Sequence, residues 1–194
     1  MNITDQYYHS NSQLFFDSTV NADVSSLYER FIRFIPAGGR ILDLGCGSGR
    51  DTKAFLSMGY FVDAIDGSSD LCKLASEYTG IAVKCMDFME LSAIEEYDAI
   101  WACASLLHAP SDSLPIILSK MYDALKPTGI MYISFKYGEY EGERDGRYFT
   151  DMTSDSFLSL LAQVPSLVVV EEWYSEDVRP EKSIKWYNVI VRRV

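Results

Sequence analysis

A short apolar run, Ile41-Leu42-Asp43-Leu44, opens directly onto Gly45-Cys46-Gly47-Ser48-Gly49 and then onto a helix-forming stretch from Asp51 to Met58. Three glycines at alternate positions between a strand and a helix constrain the chain more than any other feature. Each permits a sharp turn and a close approach that a Cβ would block. A strand that feeds a helix through such a loop is the opening unit of an α/β sheet. Ligands of such sheets sit beyond the carboxyl ends of the strands.

The rest of the chain continues the alternation. Arg40–Leu44, Tyr60–Ile65, Ile81–Met86, Tyr97–Cys103, Gly129–Phe135, Leu167–Tyr174 and Lys185–Val191 read as strands. Asp51–Met58, Ser69–Tyr78, Asp112–Leu125 and Ser154–Ala162 read as helices, and Pro127-Thr128-Gly129 as a break. Near-continuous apolar strands separated by helices predict a doubly wound, mostly parallel seven-stranded α/β sheet covered on both faces. The last two strands lack a crossover helix, which predicts an antiparallel edge. Asp23 is placed to cap a helix running to about Ile35, with Leu27, Phe31 and Phe34 on one face. Residues 1–22 are too aromatic for a free tail and are expected to pack back as an arm. With 194 residues and no linker, one domain is expected.

A second acid, Asp66, ends the second strand in Ala-Ile-Asp66-Gly67-Ser68. A carboxylate there is placed to accept from both hydroxyls of a ribose. The spacing is G-x-G-x-G, not the dinucleotide G-x-G-x-x-G. Asp51 opens the following helix and is expected to oppose a phosphate. The pattern suits a nucleoside ligand with a cationic end.

The segment ILDLGCGSGRDT resembles motif I of the class I S-adenosylmethionine-dependent methyltransferases. Later segments are similar to the same family: Ala-Ile-Asp66-Gly67-Ser68 to motif II, Cys85-Met86-Asp87-Phe88 to its adenine-binding segment, and Asp98-Ala-Ile-Trp101-Ala102-Cys103 to motif IV. Leu125-Lys-Pro127-Thr128-Gly129 resembles the family's L-K-P-G-G turn, with Thr128 in place of the first glycine. The phrases WACASLLH and FKYGEYEGERDGRYFTDM resemble small bacterial methyltransferases of the tellurite-resistance type.

The resemblance implies a Rossmann-like sheet of order 3-2-1-4-5-7-6 and S-adenosylmethionine as methyl donor, with S-adenosylhomocysteine as product. It divides the domain into an N-terminal arm and helix (1–37), a cofactor-binding core (38–135) and a substrate-side loop, helix and terminal hairpin (136–194). It places the donor on Asp43, Gly45, Cys46, Gly47, Gly49, Asp66, Gly67, Ser68, Asp87, Phe88, Ala102 and Cys103, under a cover that includes Tyr7 and Tyr8. A nicotinamide-dependent oxidoreductase and a non-catalytic cofactor-binding protein remain the alternative readings.

The acceptor side rests more on position. His108 lies in the loop after the fourth strand, and its ordinary pKa near 6.5 makes it the candidate base. Ser105 shares that loop. After the fifth strand, Lys136, Arg144, Arg147 and Tyr148 lie in a charged, glycine-rich stretch read as a loop forming a lid or substrate wall.

Charge narrows the partners. The formal net charge is −11, divided as −8 over residues 1–100 and −3 over 101–194. An acidic surface disfavours nucleic acid and points to a small-molecule substrate. Neither a [DNS]-P-P-[YF] motif nor a Pro-Cys pair follows the fourth strand, so DNA amino- and cytosine-5-methylation are also disfavoured. The four cysteines show no disulfide or zinc spacing, and no metal site is expected. No apolar run approaches the ~18 residues a membrane span needs. The polar N-terminus lacks a secretory pattern. A cytoplasmic protein is expected, of unknown oligomeric state.

Overall fold

The structure is a computed structural model that describes residues 3–179 and 183–194. Its centre is a seven-stranded sheet. Strands β1 (Arg40–Leu44), β2 (Phe61–Asp66), β3 (Lys84–Cys85), β4 (Tyr97–Ala102) and β5 (Leu125–Lys136) run parallel. Two more strands form outside the sheet, β6 (Glu141–Arg144) and β7 (Arg147–Thr150). β8 (Leu167–Glu176) and β9 (Lys185–Arg193) complete the sheet as an antiparallel edge, with β9 inserted between β5 and β8. The order is β3-β2-β1-β4-β5-β9-β8. With the outlying β6–β7 pair discounted, this is the 3-2-1-4-5-7-6 order that the resemblance implies.

The period-two geometry of the strands divides the core. Ile41, Ala99, Trp101, Ile130 and Tyr132 face one side, packing on Phe31 of α2 (Ser25–Ile32) and Phe55 of α3 (Arg50–Ser57). Leu42, Leu44, Ile100, Met131 and Ile133 face the other, against Leu118 of α5 (Leu114–Ala124) and Phe157 of α6 (Ser154–Leu161). Trp101 and Tyr132 are cross-strand neighbours, stacked with centroids 4.1 Å apart. Between β2 and β3 lies α4 (Ser69–Thr79), capped by Ser68 Oγ accepting from the Leu71 amide at 3.3 Å.

The arm packs back as expected, and three other local expectations need correction. The arm is a helix, α1 (Ile3–Thr19), broken at Asn11 (φ −126°). Its sequence lacks a continuous apolar stripe, and tertiary contacts hold it: His9 to Asp70 at 2.7 Å, Phe16 on Tyr78, and Tyr8 on His108. The charged loop after β5 contains the β6–β7 hairpin. Asp145 (φ 51°) and Gly146 (φ 73°) both take the left-handed conformation that an Asp-Gly hairpin turn requires. The third strand shrinks to Lys84–Cys85, because as the sheet edge it pairs only with Ile65 and Asp66. The expected Pro127-Thr128-Gly129 break falls inside β5, where Thr128 adopts φ 66°, which costs a β-branched side chain about 1–2 kcal/mol.

Candidate functional site

The carboxyl ends of β1, β2, β3, β4 and β5 bring the residues of interest to one rim of the sheet. The glycine loop leaves β1 with Gly45, Gly47 and Gly49 all at positive φ (80°, 55° and 77°). A Cβ on Gly45 would stand 2.5 Å from Ser105 Cβ, and one on Gly49 would stand 2.7 Å from Thr79 Cγ2. A Cβ on Gly47 would meet the Phe15 ring of α1 at 3.1 Å. The loop is therefore wedged between β4's exit loop, α4 and α1.

Four of its amides are spent internally. Gly45 and Cys46 donate to the Ile65 carbonyl at 2.9 and 3.0 Å, Gly47 to Asp66 Oδ2 at 2.9 Å, and Gly49 to the Cys46 carbonyl at 2.9 Å. A pyrophosphate needs those donors free.

Asp66 also accepts from the Ser68 amide through Oδ1 at 2.9 Å. Burial raises its pKa, and the two amides counter part of that rise. Each oxygen uses one acceptor position and keeps another. Gly67 follows, and a Cβ there would meet nothing within 4 Å. Asp87 caps a single 3-10 turn: its Oδ1 accepts from Met89 at 2.8 Å, and Glu90 Oε2 accepts from its amide at 2.8 Å. Phe88 reaches the glycine loop, its ring edge 3.4 Å from the Gly45 Cβ direction.

Behind the loop lie two buried acids. Asp43 accepts from Thr52 Oγ1 at 2.5 Å, and burial together with the Asp51 charge pushes its pKa up. Burial also works to raise Asp51, but the Arg50 guanidinium together with the hydrogen bonds from Tyr28 and Trp101 holds it below its usual value. Asp51 accepts from Tyr28 Oη at 2.5 Å, Trp101 Nε1 at 2.8 Å and Arg50 Nε at 2.6 Å. The expectation that Asp51 would face a ligand is thus corrected: its charge is consumed inside the protein. Cys46 is buried and Cys103 half-buried, and burial raises both thiols, Cys103 to about 12. Both stay protonated, as packing residues. Ala102 is fully buried at the end of β4.

The acceptor side gathers around Phe149. His108 Nδ1 lies 2.7 Å from the Tyr148 carbonyl, which can only accept, so Nδ1 carries the proton. Nε2 then accepts from Tyr8 Oη at 3.0 Å. Burial, aided by Arg147 and Lys136, drives the His108 pKa down to about 4. The ring is neutral near pH 7, with both nitrogens engaged.

Lys136 Nζ sits 3.7 Å from the Phe149 ring centroid, with Arg144 Cζ at 4.6 Å and Arg147 Cζ at 5.1 Å from the same centroid. Arg144 is neutralised by a two-pronged pair with Asp151. Arg147 stacks on Tyr7 at 4.4 Å, and its Nε is buried with no hydrogen-bond partner. Ser105 Oγ is likewise buried and unpartnered.

Two expected residues stand elsewhere than the spacing suggests. Tyr7 packs on the hairpin turn at Gly146, while Phe15 takes the place over the glycine loop. The Tyr148 hydroxyl turns outward to Glu141 Oε1 at 2.8 Å, and only its backbone reaches inward, to His108 and to Thr4 Oγ1. Phe15 and Thr4 carry no motif; only the aromatic density of the arm hinted at them.

Residues 41–129, which carry this glycine loop and the strand-end Asp66, match the methyltransferase domain family. That stretch, a little under half of the chain, is similar to methyltransferase domains. The ubiquinone biosynthesis O-methyltransferase of Rhodopseudomonas palustris (strain BisB5) is 30% identical over 103 residues, covering 50% of this chain and 40% of that protein. Its counterpart in Xanthomonas axonopodis pv. citri (strain 306) is 32% identical over 109 residues, covering 53% and 45%. The chain therefore spans less than half the length of these two relatives.

The fold is shared along nearly the whole chain. A solved 1,6-didemethyltoxoflavin-N1-methyltransferase from Burkholderia thailandensis, with bound 1,6-didemethyltoxoflavin and S-adenosylhomocysteine, superposes with a TM-score of 0.76 at 21% identity. It covers 97% of this chain and 84% of that one. Among the described residues, no helix of this chain is long and apolar enough to cross a membrane.

Proposed function

We propose that this protein transfers the methyl group of S-adenosylmethionine to a small-molecule acceptor. The observation that carries the reading is the pinned loop: four glycine-loop amides tied back into the protein, beside an Asp66 carboxylate that keeps free acceptor positions. That geometry suits a ribose and a cationic end group, and it disfavours a dinucleotide.

Asp66 would accept from the ribose hydroxyls. Asp87 and Phe88 would flank the adenine, and Ala102, Cys103 and Ser105 would line the approach to the methyl group. Bound S-adenosylmethionine supplies a methyl carbon activated by a positive sulfur, open to in-line attack by an acceptor lone pair, with the thioether leaving. The protein's task is alignment and exclusion of water, which contributes up to about 7–11 kcal/mol.

His108 positions more than it abstracts. Its lone pair is occupied by Tyr8, and a base with a pKa near 4 is weak at pH 7. Thiol or anionic acceptors, which need no base, fit this loop better than neutral hydroxyls.

Isothermal titration with S-adenosylmethionine and S-adenosylhomocysteine tests the donor. Saturable binding of both is expected. No heat at millimolar ligand, or saturable NADH binding, would overturn it. Tritiated-methyl incorporation should appear in the small-molecule fraction and stay out of RNA and protein. Donor binding with no transfer to any fraction would instead favour a non-catalytic binding protein.

A further inference from the structure

Resting on that reading, we infer that the acceptor is an anion, held by a carboxylate or similar oxyanion that seats between Lys136 and Arg147 over the ring of Phe149. Four observations lead there. First, Lys136 and Arg147 form no ion pair among the described residues, in a chain of net charge −11 that supplies carboxylates to Arg30, Arg40, Arg50, Arg144 and Arg193. Second, two of the acids near the two cations are already committed, and among the described residues Asp145, which acts on Lys136 through space, forms no ion pair with either. Asp151 holds Arg144, and Glu141 accepts from the Ser111 amide and the Tyr148 hydroxyl, both at 2.8 Å.

Third, Arg147 Nε is buried with no partner, so a directional donor is left unused where water is excluded. An unpaired buried donor carries a desolvation cost, which a ligand oxygen would offset. Fourth, the pair sits where an acceptor must come. Lys136 ends β5, and Arg147 lies 3.5 Å, Nη1 to Oη, from Tyr8. Tyr8 bonds His108 and lies within electrostatic reach of Asp66.

Two half-buried cations against one ring are poorly placed without an anion. Burial, then Arg144 and Arg147, pull the Lys136 pKa down to about 8. Asp151 and Asp145 oppose that fall, and His108 is neutral. An arriving carboxylate would restore the ammonium. Binding should then weaken as pH rises past 8, where the free lysine has already lost its proton.

The test titrates benzoate and its neutral amide, benzamide, into protein saturated with S-adenosylhomocysteine, and again into the protein alone. Benzoate should bind about tenfold tighter than benzamide. Lys136→Met and Arg147→Gln, which keep the aliphatic stems, should each weaken benzoate about tenfold and leave S-adenosylhomocysteine affinity within about twofold. The pH dependence above 8 should vanish in Lys136→Met.

Equal binding of acid and amide would overturn the proposal, as would no binding of benzoate or inorganic phosphate by roughly 10 mM. A parallel loss of S-adenosylhomocysteine affinity in the variants would assign the cations to the donor's own carboxylate, which also overturns it. If S-adenosylhomocysteine itself fails to bind, the donor reading falls. The titrations on the protein alone then still decide the anion site.

Discussion

The two halves of the rim are built on opposite plans. On the donor side most of the strong groups have found a protein partner: four loop amides go to Ile65, Asp66 and Cys46, and the Asp51 charge goes to Arg50, Tyr28 and Trp101, while Asp66 keeps an acceptor position on each oxygen. On the acceptor side, Lys136 and Arg147 lack counter-ions among the described residues, and Arg147 Nε and Ser105 Oγ lack any hydrogen bond. The first half is complete as a fold and leaves its ligand the shape of the loop and the spare acceptor positions of Asp66. The second is complete only with something bound. The contrast teaches where stability and function are separated in this chain.

Four measurements can break or sharpen that contrast. The largest effect is expected on the satisfied side. Asp51→Ala leaves the buried Arg50 unpaired together with the Tyr28 and Trp101 donors, and urea denaturation should show a loss of about 3–5 kcal/mol. A loss under 1 kcal/mol would mean the carboxylate is not the hub it looks to be.

Next is acidification. His108 has a folded pKa of about 4 against an ordinary 6.5, so it adds stability above pH 6.5 that is lost as pH falls toward 4. That amounts to about 3 kcal/mol. Melting curves of native protein and His108→Gln should converge in slope above pH 7 and separate below 6.

Asp66→Ala should lower S-adenosylhomocysteine affinity by about 30–150-fold, the value of roughly 2–3 kcal/mol of charge-assisted hydrogen bonding. Unchanged calorimetric affinity would remove Asp66 from the ribose role.

The smallest effect has the opposite sign. Lys136→Met removes an uncompensated half-buried charge and should leave stability unchanged or raise it by up to about 1 kcal/mol. Clear destabilisation would show that the acceptor side, too, is held together by its cations.

The legible parts of the molecule were those governed by local rules. Gly45, Gly47, Gly49 and Asp66 announce themselves because positive φ and strand-end position leave a mark within a few residues. The sheet followed from apolar strands alternating with helices. What stayed hidden depended on distant contacts. Nothing near Asp51 shows that Tyr28 and Trp101 will converge on it, so its apparent exposure at a helix start was misleading. Helix α1 has weak periodicity because its partners lie on α4 and β7. The β6–β7 hairpin was within reach: Asp145-Gly146 is a strong turn signal, masked by flanking strands that carry charge in place of apolar alternation.

That hairpin stands apart from the main sheet, and two strands alone are marginal in water. Its order rests on a few ties: Tyr148 to Thr4 and His108, Glu141 to Ser111, and Thr150 Oγ1 to the Ala109 carbonyl at 2.8 Å. Warming should release this corner before the sheet melts, since segments with so few anchors open at lower free energy. Catalytic competence would then fade at temperatures where circular dichroism still reports an intact protein.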